Sequence, residues 1–216
     1  FKAESIGNTA STSEAHKAGG VGVVGATATT SDAKVGAASD KPQTVGLTVT
    51  GGSIQALEDI ILRAYNTGKA QSIVKKGTEV SGIGITKTSL PTNSWYSTNV
   101  SVTGGAVLTA EGSITLTSED TTEAKADATG TNIGFAINAD YTKGENHITS
   151  NNTVTIGAKL QADDSLTVTA DSKATMTAKT VADGGGFFTK GTLTAINELI
   201  RSCLITVAEN SDLSAN

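Results

Sequence analysis

An apolar residue followed two positions later by alanine recurs along this chain at nearly equal intervals, and this repeat constrains the fold more than any other feature. The matches are FKA at Phe1, IQA at Ile54, LTA at Leu108, LQA at Leu160 and LSA at Leu213. A nearly constant interval of this kind indicates stacked units that bury their apolar faces against one another. The sequence therefore predicts one repeat domain over residues 1–216, with about four repeats and the start of a fifth.

Each repeat consists largely of alternating apolar and polar residues, which is the period-two pattern of β-strands. LTAEGSITLTSED at Leu108 and LQADDSLTVTADS at Leu160 have nearly the same alternating pattern. The segments upstream of the matches end in glycine or polar corners, as in LTVTGGSI and VSVTGGAVL. A glycine followed by an apolar residue also recurs in the middle of each repeat, at Gly22-Val23, Gly84-Ile85, Gly134-Phe135 and Gly186-Phe187.

Short strands joined by small-residue corners predict an all-β fold, a β-solenoid in the form of a right-handed parallel β-helix with repeats of about 53 residues. Two coils of about 26 residues or three of about 18 are both compatible with one repeat. IQALEDIILRAYN at Ile54 is predicted to be strand because it aligns with two Thr-rich alternating segments. A short helix near 194–208 is an alternative to strand, since TLTAINELIRSCLITVAE also fits helical spacing.

Composition and charge exclude several functional classes. Only 4% of the residues are aromatic, so the core is expected to consist of small, regularly spaced apolar groups. The net charge is −5 and the lysines and arginines are scattered, so the sequence predicts no basic surface for binding nucleic acid. No run of about 18 apolar residues is present, so no membrane-spanning segment is expected. Cys203 is the only cysteine, which excludes an internal disulfide, and it is predicted to be a small buried hydrophobe, with a loose thiol as the alternative.

Acidic residues follow each alanine of the repeat, namely Glu4, Glu58-Asp59, Glu111 and Asp163-Asp164. With two coils per repeat, equivalent acids would stand about 10 Å apart, too far to share a metal ion. The acidic residues are predicted to occupy solvent-exposed corners between strands. His16 and His147 lie in different repeats, and Val24 in GGVGVV occupies the position where a calcium-binding repeat needs aspartate. We therefore expect no catalytic residue, no metal site and no cofactor.

The stretch LPTNSWYST, residues 90–98, differs from the rest of the chain because it contains a proline and two adjacent aromatic residues. Trp95 and Tyr96 would face opposite ways on a strand, so at least one is expected to be exposed. They are the candidate binding residues, for a glycan or a partner protein. The alternative is a loop folded over a coil, with Trp95 covering the core.

The phrases GSITLTSEDTTEAKADATG and DSLTVTADSKATMTAKTVADGGG, with their glycine–apolar pairs, resemble the shafts of filamentous-haemagglutinin-like adhesins, especially the leukotoxin-type filamentous adhesins of Gram-negative anaerobes. The resemblance covers essentially the whole chain. It implies a segment of a giant bacterial exoprotein associated with virulence, either secreted or at the cell surface, whose full-length form is exported through an outer-membrane transporter. The implied partner is a host or bacterial surface protein or glycan.

The expected function is therefore structural and adhesive, not enzymatic: a shaft segment that presents binding surface, with many weak contacts multiplied by avidity. A β-helical polysaccharide-processing enzyme that uses the acidic residues is the first alternative. A cytolytic toxin segment is the second, and it predicts dye release from lipid vesicles.

Overall fold

The computed structural model describes residues 1–17, 20–76, 79–129, 131–181 and 183–216, and these residues form fifteen β-strands and no helix. The predicted all-β fold is confirmed. In chain order the strands are β1 (Lys2–Lys17), β2 (Gly20–Thr30), β3 (Ala33–Val35), β4 (Gln43–Thr50), β5 (Ser53–Ala56), β6 (Ile60–Lys76), β7 (Glu79–Thr103), β8 (Val107–Ala110), β9 (Ile114–Thr129), β10 (Thr131–Ile156), β11 (Lys159–Ala162), β12 (Leu166–Thr180), β13 (Asp183–Gly185), β14 (Phe188–Val207) and β15 (Asp212–Ala215).

The strands form three sheets, in which all of the strand pairings are parallel. Sheet A contains β1, β6, β9 and β12, and sheet C contains the short strands β5, β8, β11 and β15. Sheet B contains β7 and β10 at its centre, with β2, β3 and β4 on one side and β13 and β14 on the other. The chain thus passes through sheets A, B and C in that order four times, and we call each such run a passage.

Four of the five residues that begin a match to the repeat pattern lie in one row across sheet C. Ile54 pairs with Leu108, Leu108 with Leu160, and Leu160 with Leu213. The match at Phe1 is not equivalent to the other four, because Phe1 precedes β1 in sheet A and accepts a hydrogen bond from the backbone N–H of Ile61. The cause is a loop at residues 36–42 between β3 and β4. Upstream of the loop, Val35 pairs with Ser94, and downstream Gln43 pairs with Tyr96, so the first passage contains six residues more than the second at this point.

Each strand pairs with the equivalent strand of the next passage, one full repeat along the chain, as in Lys2↔Ile61, Leu108↔Leu160 and Ile156↔Val207. Pairing at a half or a third of the repeat, which the sequence left open, does not occur in the described ranges. The prediction of short strands is wrong for most of sheets A and B, where the strands are long: β7 has 25 residues and β10 has 26. Long strands leave no room for two or three coils in one repeat. At about 3.3 Å per residue, these strands extend for roughly 80 Å. A passage is therefore wide and flat.

The helix considered near 194–208 is wrong, and so is the buried position predicted for Cys203. β14 runs as strand through this region and pairs with β10 from Ile137↔Phe188 to Ile156↔Val207. This long ladder outweighs the local helical spacing, since tertiary context overrides propensity. Cys203 pairs with the buried Asn152, but it is exposed because β14 has a neighbouring strand on one side only within the described part of the chain.

The interior is apolar where the three sheets meet. Side chains from all three sheets belong to one cluster, whose largest members are Val45, Ile60, Leu62, Val100, Val102, Leu108, Ile114, Leu116, Val154, Ile156 and Leu160. The corners from sheet B to sheet C are the predicted glycine turns in the first two passages. Gly51, Gly52, Gly104 and Gly105 all have positive φ, between 66° and 77°, a region that side-chain-bearing residues adopt at a cost.

Three of the four predicted glycine–apolar pairs lie together where sheet B begins. Gly22 and Gly134 both pair with Ser81, and Gly186 approaches the carbonyl oxygen of Gly134 so closely that a Cβ would stand 2.2 Å from it. The alignment of Gly84-Ile85 with these pairs is wrong, because Gly84 pairs with Gly25 and Asn138. The pairing of β10 with β7 shifts between Gly134 and Ile137. Such a bulge re-aims the side chain inside it, and Phe135 is accordingly exposed.

Candidate functional site

The two candidate binding residues lie in the middle of β7, within a strand and not in a loop. Pro91 in the same stretch pairs with Glu145 of β10 and faces the break between β2 and β3. A proline has no N–H to donate to a ladder, so it is tolerated where the neighbouring strand is interrupted. The segment therefore continues the strand in spite of its unusual composition.

Trp95 and Tyr96 point to opposite faces of sheet B, as their adjacency predicted. Tyr96 is 1% exposed and packs in a cluster with Ala70, Ala124 and Ile148. Burial raises the pKa of its phenol to about 12. Its ring covers Gly68, where a Cβ would stand 2.1 Å from Cε1 of the ring. Tyr96 thus belongs to the interior, and of the two residues Trp95 alone faces outward.

Trp95 lies on the outer face of sheet B, where it is partly exposed beside the loop of residues 36–42. The loop packs directly on the backbone of β7: Gly36 has φ 77°, and a Cβ there would stand 2.9 Å from the carbonyl oxygen of Trp95. On the other side, Thr149 and Ile200 continue the row of Trp95. The binding role of Trp95 stays a prediction. Sequence reasoning missed the loop as part of this surface because the loop precedes Trp95 by a full repeat of the chain.

The acidic residues that follow the repeat alanines occupy equivalent positions only in part. Glu111 donates its backbone N–H to the carbonyl oxygen of Ala56, and Asp163 donates to Ala110, so these two acids occupy the same corner on adjacent strands. Their spacing is one strand separation, about 4.8 Å, and not the roughly 10 Å expected for two coils per repeat. Leu57 occupies this position in the preceding passage. Both carboxylates are exposed, at a corner and not in a cleft.

Glu4 is not part of that row, because it lies in β1 within a band of ion pairs on the outer face of sheet A. Arg63 is 3.0 Å from Glu119 and 3.9 Å from Glu4. Lys173 on the next strand is 3.5 Å from Glu119. The guanidinium of Arg63 also lies over the ring of Tyr65, 4.7 Å from its centroid. Opposite charges on successive strands hold these side chains against the sheet, with individually small contributions to stability.

A buried polar cluster around Asp120 was not foreseen. Ser150 and Ser172 donate hydrogen bonds to its carboxylate at 2.7 and 3.2 Å, and Asn152 donates a third. Burial raises the pKa of Asp120, although these three donors oppose the rise. Arg201 closes the cluster by donating to the backbone carbonyl of Ser172 at 2.9 Å. The alternation in SITLTSED places Asp120 in the same phase as the buried Leu116. This pattern could have predicted that Asp120 faces the interior.

The histidines pair with acids on their own face. His16 is 2.9 Å from Glu14, and His147 is 2.8 Å from Glu198 on the next strand. Within the described ranges, no three His, Cys, Asp or Glu side chains come together as a group that could hold a metal ion. The part of the chain that the structure describes also contains no helix able to span a bilayer.

Comparison with protein-family models, with curated proteins and with solved structures found no match for this chain. The resemblance to filamentous adhesins therefore stays a prediction that rests on the repeated sequence pattern.

Proposed function

We propose that this chain is a segment of an elongated β-solenoid shaft, in which each passage is one coil and the outer faces present binding surface. The observation that carries the proposal is the register: four passages stack in parallel, with equivalent residues side by side in all three sheets. Stacking of this kind can continue indefinitely along one axis, which is the property that a shaft requires.

Closure of the three sheets around one interior is supported by their shared core. Leu62 of sheet A, Val100 of sheet B and Leu108 of sheet C are all fully buried in the same apolar cluster. The alternation continues along the long strands: β9 is buried at every second residue from Ile114 to Ala128. The alternate residues face outward and include Thr115, Thr117 and Lys125. A filled interior with solvated outer faces favours a structural role for the segment.

Small-angle X-ray scattering tests the shape. A compact globule of 216 residues has a radius of gyration of about 17 Å. The stacked arrangement extends for roughly 80 Å along the strands and about 20 Å in each of the other two directions. A body of these dimensions has a radius of gyration of about 24 Å. We expect the larger value. A measured radius equal to that of the compact globule would contradict the stacked arrangement.

For the adhesive role, the proposed contact surface is Trp95 with the loop of residues 36–42, and the partner is a host or bacterial surface protein or glycan. The proposed setting is a secreted or surface-exposed bacterial exoprotein, exported in its full-length form through an outer-membrane transporter. Fluorescently labelled protein is tested for binding to cultured epithelial cells and to a glycan array. Trp95→Ala is expected to reduce binding. Leu57→Ala, at a corner that is 80% exposed, is the matched control and should bind as the wild type does. Equal binding by all three proteins would exclude the Trp95 surface.

An enzyme of the polysaccharide-processing class is the second candidate, since Glu111 and Asp163 stand on adjacent strands. Their exposed corner position argues against it, because an enzyme binds its substrate in a concave site. The decisive comparison is glycan degradation by the wild type and by the double variant Glu111→Ala/Asp163→Ala. Activity that is present in the wild type and lost in the variant would favour the enzyme over the shaft.

A further inference from the structure

Large apolar side chains form a continuous exposed row across sheet B, close to where the chain enters that sheet. Val24, Ile83, Ile137 and Phe188 occupy equivalent positions on β2, β7, β10 and β14. All four face outward, with exposed fractions from 37% for Ile83 to 74% for Phe188. Single exposed apolar residues are ordinary, but the same position filled in every passage is a contiguous patch that marks an interaction site.

The local backbone adds further apolar side chains to this row. Phe135 lies in the bulge of β10, and Phe187 lies in the turn between β13 and β14. Val23 takes a similar position on β2, where its carbonyl oxygen would stand 2.7 Å from a Cβ on Gly82. These three side chains are between 65% and 89% exposed. We call the whole set the apolar ridge; its members are Val21, Val23, Val24, Ile83, Ile85, Phe135, Ile137, Phe187 and Phe188.

The outer face of sheet B changes in polarity away from the ridge. Lys190 lies in the next outward row and Lys87 and Tyr141 lie in the second, whereas Lys143 in the third row pairs with Glu145, 2.7 Å away. Those three rows and the row of Val24 contain no acidic residue, since Asp140 faces inward and is 5% exposed. Successive outward rows are two positions apart along each strand, so the change from apolar side chains to lysines extends over roughly 20 Å.

We propose that the apolar ridge docks on the surface of an anionic lipid bilayer, with the ridge at the acyl boundary and Lys87 and Lys190 at the phosphate groups. Interfacial binding requires an apolar edge bordered by cations, and tyrosine sits at the headgroup level in such surfaces. The charge pattern is the reason for preferring lipid to a second copy of the chain. Two ridges packed face to face with their strands parallel would bring Lys87 and Lys190 of both copies together, where like charges repel.

This surface is separate from the one assigned to adhesion. Trp95 lies well beyond Ile83 along β7, at a distance of roughly 40 Å if each residue of the strand rises about 3.3 Å. Docking of the ridge therefore leaves the Trp95 surface outside the bilayer. Either interaction can fail in experiment without affecting the other.

Vesicle flotation tests the proposal, with vesicles of phosphatidylcholine alone or mixed with phosphatidylglycerol. The wild type is expected to float with the mixed vesicles and to dissociate as salt is raised. Phe135→Ser/Phe187→Ser should reduce the partition coefficient about tenfold or more, because two exposed phenyl groups are removed from the interface. Lys87→Glu/Lys190→Glu should abolish the preference for phosphatidylglycerol. Leu57→Ser, which removes an equally exposed apolar side chain from another corner, should float as the wild type does.

A fluorescence measurement gives the orientation. Phe135→Trp in a Trp95→Phe background is expected to shift its emission to the blue on mixed vesicles, whereas Trp95 of the wild type should not shift. All of these substitutions are on the outer surface, so circular dichroism should be unchanged. Failure of the wild type to float, or flotation that the double serine variant retains, would overturn the proposal. A wild-type dimer in sedimentation that the same variant dissociates, without vesicle binding, would assign the ridge to contacts between copies.

Discussion

Substituting Gly68 by alanine tests whether the two long sheets face each other as described. The added methyl group would stand 2.1 Å from Cε1 and from the hydroxyl oxygen of Tyr96, whereas ordinary carbon contacts begin near 3.4 Å. The ring would have to move by more than about 1 Å. It is 1% exposed and clustered with Ala70 and Ile148, so it has no free space to enter. Overpacking of this kind costs about 1–3 kcal/mol in the free energy of unfolding.

Urea unfolding followed by circular dichroism measures this cost, and for a chain of this length each kcal/mol lowers the Tm by about 2–4 °C. Gly191→Ala is the matched control, because its Cβ would meet no atom within 4 Å and its φ is not positive. Replacing glycine by alanine also lowers the conformational entropy of the unfolded chain, which affects the free energy of unfolding. Gly191→Ala includes the same entropic contribution, so the difference between the two variants reports the clash alone.

A double-mutant cycle with Tyr96→Leu identifies the clash. Leucine gives the added methyl group more space, so Gly68→Ala is expected to cost less in the Tyr96→Leu background, with a coupling energy of about 0.5–3 kcal/mol. The reasoning is refuted if Gly68→Ala and Gly191→Ala have the same stability, or if the effects of Gly68→Ala and Tyr96→Leu are additive.

Leu108→Ala should lower the free energy of unfolding by about 2–5 kcal/mol in urea titration, because Leu108 is fully buried where the three sheets meet. A loss below about 0.5 kcal/mol, as at a surface position, would contradict that location. For Asp120, burial raises the pKa in the folded state, so its contribution to stability is greatest below the unfolded pKa of about 3.9 and is lost as pH rises through the folded pKa. Asp120→Asn should therefore reduce the fall in Tm between acidic and neutral pH, and an unchanged pH profile would contradict this assignment. Cys203, although exposed, should be alkylated more slowly at neutral pH than a free thiol of a short peptide, because desolvation by its neighbours and then the carboxylates of Asp120 and Asp171 raise its pKa. A rate equal to that of the peptide would refute this reasoning.

The amino-acid sequence determined the alternation within the strands, the glycine turns and most of the repeat, but not the lengths of the strands. Alternation of apolar and polar residues is a local property, because successive side chains on a strand face opposite ways wherever the strand lies. The row from Ile54 to Leu213 follows from it, and the glycine corners follow from turns that need positive φ. The same alternation places Trp95 and Tyr96 on opposite faces of β7.

Tertiary structure alone decided which strand lies beside which. Equal spacing in the sequence placed Phe1 with Ile54, but the inserted loop at residues 36–42 shifts the pairing of everything before it. The helical spacing around Cys203 was overridden by a parallel ladder with β10. The inward position of Tyr96 and the exposed row that begins at Val24 also depend on these long-range pairings. Periodicity is specified within each strand, whereas register is specified by contacts between strands a full repeat apart along the chain, and no local pattern contains them.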